Sequence, residues 1–167
     1  MTTTDYLLSA ALVLIVVRQL RGRPLAGASL YLPLAIVAFA AAKYLRGIPT
    51  SGNDLLLVGI CLAAGLVLGV LCGLYTLVYP DATGTPFARA TGLAVVFWIL
   101  GMSGRIAFAY YAEHGGGPSI ARFSMHHALT VQAWSTALIL MALTEVVART
   151  IVLVFRSRRL PATAAII

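Results

Sequence analysis

The amino-acid sequence predicts an all-α fold: a polytopic transmembrane helix bundle of about five spans, amino terminus outside and carboxyl terminus cytoplasmic. Three observations predict it. Of 167 residues, 60% are hydrophobic and only 10% charged, against about 25% charged in soluble domains, and the mean hydropathy is +0.95. The apolar residues gather into five runs close to the roughly 20 residues needed to cross a bilayer. The basic residues gather at the ends of those runs, and more at one side than the other. So little polar surface could not cover a soluble chain of this length.

The first span, about residues 5–20, is short. Its basic residues (Arg18, Arg21, Arg23) follow the apolar run, the reverse of a cleaved signal peptide, so the segment is expected to stay with its amino end outside. The second, about 29–45, contains Pro33 and closes on Lys43 and Arg46. The third, 54–79, starts at Asp54 and stops at YPDATGTP, a turn signal. The fourth, 90–112, ends at EHGGGPS, and the fifth, 126–155, is followed by RSRR. The fifth is long, because 128–155 as a helix measures about 42 Å against a core of about 30 Å. It must tilt, or its last turns must lie along the interface, and the depth of Glu145 depends on which. Loops of about ten residues leave no room for an extramembrane domain, so the chain reads as one membrane domain over 1–167. Five spans cannot hold a complete inverted-repeat transporter.

Orientation follows from the bias of Lys and Arg. With the amino end outside, the inner side receives Arg18, Arg21, Arg23, Arg89, Arg149, Arg156, Arg158 and Arg159; the outer side receives Lys43, Arg46, Arg122 and Arg105. The net charge of +7 then reads as topology signal and anionic-lipid contact, not as a nucleic-acid footprint. Arginine at all basic positions but Lys43, with abundant alanine and glycine, suggests a GC-rich bacterial genome and hence a multi-pass protein of the bacterial plasma membrane.

Small residues recur every fourth position in the third span: Cys61, Gly65, Gly69 and Gly73. This ridge allows close helix approach, either within the chain or in a homodimer. Cys61 and Cys72 lie about 16 Å apart along a helix, too far to bridge, and without C-x-x-C they read as structural.

At the outer face the sequence gathers Lys43, Arg46, Asn53, Asp54, Arg105, Glu113, His114, Arg122, His126, His127 and Gln132. Arg105 lies about 12 Å below Glu113, and Gln132 a similar depth below His126, so a hydrogen bond between them is expected. Asp54 and Glu113 are candidate counter-charges. Arg105 either snorkels to the interface or lines an outward-facing polar pocket with Gln132, His126, His127, Arg122 and Glu113. His126 and His127 diverge by about 100° on a helix and cannot ligate one metal together. The spacing matches no metal site, and no metal or cofactor is assigned. On the inner side Glu145 and Arg149, at i and i+4, are expected to cluster with Arg18. No nucleophile elbow, phosphate loop or dinucleotide fingerprint is present, so no catalytic residue is assigned.

The run VVRQLRGRPLAGASLYLPLAIVAFAAAKYLRGIP, with its short first span, arginine-rich loop and second span opening near Leu-Pro, resembles the CcdC-like family of small bacterial integral membrane proteins. That resemblance, mainly over residues 1–50, implies a small non-enzymatic membrane protein associated with cytochrome c maturation. The expected function is an accessory or scaffold subunit of an envelope process, with the lipid bilayer and a membrane protein or second copy (through the third span) as partners. The alternative is a small transporter or ligand-binding protein using the pocket around Arg105.

Overall fold

Asp54 opens a proline-free apolar stretch, and its carboxylate stands where a helix has unpaired N–H groups and positive dipole. The result is helix α1, Asp54–Leu74, of 21 residues. A computed structural model describes residues 23–25, 35, 39, 42, 51–81 and 84–159 of the chain. The expected first span lies outside those residues, and of the second only Ala35, Phe39 and Ala42 are described, all three helical.

The third span was expected to run to residue 79. Instead α1 stops at Leu74, and the next residues form strand β2, Thr76–Pro80, paired antiparallel with β3, Pro86–Ala90. Arg23–Pro24, the short strand β1, joins the other side of β3, giving the order β1-β3-β2. Hydropathy cannot separate an apolar strand from an apolar helix. The separating signal is composition: Thr76, Val78 and Tyr79 favour strands, and a turn follows them. In that turn Asp81 O accepts from Gly84 N at 2.8 Å, and Gly84 takes φ +76°, a left-handed conformation that glycine adopts without strain. The bundle therefore carries a small sheet at one end, which a purely helical expectation missed.

Thr91 caps the next helix by accepting a hydrogen bond from Ala94 N. Helix α2, Gly92–Tyr111, has 20 residues. It ends in a wide turn, Ala112–Gly116, where Gly115 at φ +94° breaks the helical path. Helix α3, Gly117–His126, follows with proline in its first turn. Helix α4, Val131–Arg158, has 28 residues. The fifth expected span thus starts later than residue 126, and His126 belongs to α3. Among the described residues three helical stretches are long and apolar enough to cross a membrane: Asp54–Leu74, Gly92–His126 taken across its kink, and Val131–Arg158.

The dominant packing is α1 against α4. A Cβ added to Gly65 would stand 2.3 Å from the Met141 carbonyl, and one on Gly69 2.3 Å from that of Glu145; one on Gly73 would stand 3.3 Å from that of Arg149. Each contact joins residues 76 positions apart, the same offset as Asp54 to Thr130. The two helices are therefore parallel and in register for about 28 Å. The small-residue ridge is a packing face inside this chain. Since α1 and α4 start level, α4 overshoots Leu74 by about eight residues, roughly 12 Å, and that overhang lies against β2. Its length thus serves the sheet.

The overhang also closes the end of α1. Arg156 Nη1 donates to the carbonyls of Gly73, Leu74 and Thr76, the last carbonyls of α1 and the first of β2. Beside it Cys72, Ala90 and Ala94 form a buried core under Val95, Phe97 and Trp98, where the Cys72 thiol donates to Ala94 O.

Two glycine substitutions should separate the packing ridge from the open face of the same helix. Gly69→Ile overpacks the α1–α4 contact and should cost about 1–3 kcal/mol or more, read as a lower melting temperature in detergent. Gly59, where an added Cβ would meet nothing within 4 Å among the described residues, should tolerate alanine with no loss and up to about 1 kcal/mol of gain.

Candidate functional site

Two helix-centre residues meet between α2 and α4. Glu145 lies at the middle of α4, and Gly101 at the middle of α2, with Arg105 one turn further on. The helices are antiparallel, and side chains lean toward the start of their own helix. Arg105 and Glu145 therefore lean toward one another. Arg105 Nη1 donates to Glu145 Oε2 at 2.8 Å, with side-chain exposures of 17% and 6%. Arg105 Nη2 also contacts the Met102 sulfur at 3.4 Å.

Two glycines make the space for this pair. A Cβ on Gly101 would lie 2.6 and 2.7 Å from the two Glu145 carboxylate oxygens, and Gly69 admits the Glu145 carbonyl from the other side. The backbone of Glu145 thus rests on α1 while its side chain lies across α2. Backbone approach between α2 and α4 is sparse beside that of α1 on α4. The ion pair and a stack of Phe108 on Trp134, 4.9 Å between ring centres, bridge them instead. Two charges removed from water need each other, because several kcal/mol of desolvation is recovered only by a short, well-aligned contact.

This corrects the expected surroundings of Arg105. It bonds neither Gln132 nor Asp54 nor Glu113. Gln132 is exposed in the first turn of α4, 13 residues and about 20 Å before Glu145. Counting depth from the helix ends ignored the direction in which Arg105 leans. The inner cluster is corrected as well. Glu145 turns to Arg105 rather than Arg149, Arg149 Nε is buried without a hydrogen-bond partner among the described residues, and Arg18 lies outside those residues.

The expected outer cluster divides. Asp54 is fully buried, and its two carboxylate oxygens accept from Thr130 N and Thr130 Oγ1, each at 2.8 Å. It caps the start of α4 from the start of α1. Asn53 reinforces the joint, its side-chain amide donating to His127 O and its backbone N–H to Ala128 O. Glu113, Arg122, His126 and His127 are exposed, while Lys43 and Arg46 lie outside the described residues. His114 stacks on Tyr110 and His127 on Phe123, each with Nδ1 at 2.9 Å from that aromatic residue's carbonyl. Among the described residues no three His, Cys, Asp or Glu side chains come together in a metal-binding group. Cys61 is half-buried and Cys72 buried, both as free thiols.

Sequence reasoning missed three joints: Arg105–Glu145, Asp54–Thr130 and the Arg156 cap. Only the second carried a local signal, an acid before one apolar run and a threonine before another, each a known helix-start residue. Comparison with known proteins adds nothing to this geometry: no protein-family model, curated protein or solved structure matches the chain.

The ion pair should show strong non-additivity. Glu145→Ala leaves a half-buried guanidinium without its partner and should cost about 3–5 kcal/mol. The double variant Arg105→Met with Glu145→Leu should recover most of that loss. Melting temperatures of Arg105→Met, Glu145→Leu and their double variant in one detergent give the coupling; purely additive effects would mean that the contact contributes nothing. Asp54→Ala removes two charge-assisted hydrogen bonds, each about 1.5–3 kcal/mol, and should expose the start of α4 to faster amide exchange.

Proposed function

We propose that this chain is a small non-enzymatic membrane protein of the bacterial plasma membrane, acting as an accessory or scaffold subunit of an envelope process. The observation that carries this reading is how its interior charges are used. Arg105 is matched by Glu145, Asp54 by Thr130, and Arg156 by the end of α1. Each joins one helix to another, and among the described residues Arg149 Nε is the buried side-chain nitrogen without a hydrogen-bond partner. The outer faces of α1 and α2, by contrast, present Leu55, Leu56, Ile60, Leu66 and Val67, and Leu93, Val96, Ile99 and Leu100. Such surfaces suit lipid and the apolar face of another membrane protein. The resemblance of residues 1–50 to the CcdC-like family points the same way, toward cytochrome c maturation.

The proposed topology has five spans, with the amino terminus outside and the sheet end cytoplasmic. Among the described residues Arg23, Arg89, Arg156, Arg158 and Arg159 belong to the sheet and the α4 overhang, with Asp81 as the acidic residue of the same end. Arg122 and Glu113 belong to the other end. This asymmetry supports the positive-inside assignment.

Capture of the full-length chain from native membranes in mild detergent should bring down a defined membrane complex in fixed proportion. A homogeneous protein that comes down alone and moves a small anion only while Arg105 is present would overturn the reading in favour of transport. For topology, Ser119→Cys should react with an impermeant maleimide on intact cells, and Arg159→Cys only after permeabilisation, in a background lacking Cys61 and Cys72.

A further inference from the structure

The overhang of α4 carries a feature that its capping and sheet contacts do not use. A groove of about 300 Å³ runs along its outer side, lined among the described residues by Thr150, Ile151, Val154, Phe155 and Arg158. The lining is nearly all apolar, and the one hydroxyl in it, Thr150 Oγ1, donates to the Val146 carbonyl of its own helix. Ile151 and Phe155 are more than half exposed. At the distal end stand two cations. Arg158 closes the groove, and Arg159 places its guanidinium carbon 4.2 Å from the centre of the Phe155 ring.

We infer that this groove is a binding site for one anionic phospholipid. The apolar wall takes the upper part of an acyl chain, and Arg158 and Arg159 take the phosphate. From Thr150 to Arg158 is about 12 Å of helix, so the apolar wall and the arginines lie along one axis. Arginine suits the ligand, because its planar fork matches phosphate oxygens. The charge is complementary, since among the described residues Arg89, Arg156, Arg158 and Arg159 stand against Asp81 at this end. A neutral helix of a partner protein would satisfy the wall and leave both guanidiniums unmatched.

The probe is an equimolar mixture of phosphatidylglycerol and phosphatidylcholine with the full-length protein, lipid retention being read by native mass spectrometry. One phosphatidylglycerol per chain should be retained in preference to phosphatidylcholine. Arg158→Ala with Arg159→Ala should reduce that preference by about 30-fold, at roughly a factor of five per arginine near an anionic headgroup. Ile151→Trp, which fills the groove and keeps both charges, should release the lipid. Arg89→Ala, which alters the same basic end on β3, should leave retention unchanged. Equal retention of the two lipids overturns the inference. So does a loss with Arg89→Ala as large as with the double variant, because it reports diffuse attraction instead of a site.

Discussion

The parallel, in-register contact between α1 and α4 is the constraint on which the rest of the described structure depends. Two helices that begin level and run the same way cannot be joined by a short turn, so the intervening chain must cross the bundle and return to its starting end. Helix α2 makes that crossing and α3 leads into the start of α4. The contact also fixes the two joints at its ends. Asp54 meets Thr130 where both helices begin, and Arg156 meets the last carbonyls of α1 because α4 continues past them. In surroundings without water, unpaired terminal N–H and C=O groups are costly. Each helix therefore supplies the cap that its neighbour lacks.

Close packing and the buried charge pair depend on each other. Apolar side chains gain little by meeting in lipid, so helix association there rests on dispersion and polar contacts at short range. Gly65, Gly69 and Gly73 bring the backbones of α1 and α4 together, which sets the position of the Glu145 main chain. The carboxylate then crosses the gap to α2, which Gly101 keeps open, and meets Arg105. Helix α2 thus relies on specific side chains where α1 relies on backbone approach. Exchanging either glycine for a larger residue moves the carboxylate, and the guanidinium would then lose its match. A short list of small residues holds one charge in place.

The helical class and the apolar stretches around α1, α2 and α4 were legible in the sequence, because hydropathy and Cys61-Gly65-Gly69-Gly73 periodicity report directly on lipid-facing and packing surfaces. The strands were not. Thr76–Pro80 continues the apolar run of α1 without a break in hydropathy, and β1 pairs with β3 across more than 60 positions that no local pattern connects. The ion pair was half legible. Arg105 and Glu145 each stood out as charges in apolar runs, but axial depth alone assigned them to opposite leaflets. The missing quantity was side-chain direction: an arginine on one helix and a glutamate on an antiparallel helix each reach back toward their own amino terminus, and so close a gap that Cα positions leave open.

The length of α4 misled the placement of Glu145 in the same way. A helix of about 42 Å invites a choice between tilting and bending when only the bilayer is considered. In the structure its start is set by Asp54, and its excess projects beyond α1 at one end alone. Glu145 is therefore central to α4 and also three-quarters of the way along α1, at the level of Gly69. Its carboxylate, leaning back by several ångströms, reaches the midpoint of α2. The three helices thus disagree about the depth of this residue, and only the α2 position corresponds to where its charge resides. The depth of a charged group in a bundle is that of its ionised atoms, set by the partner it meets, and α2 supplies that partner.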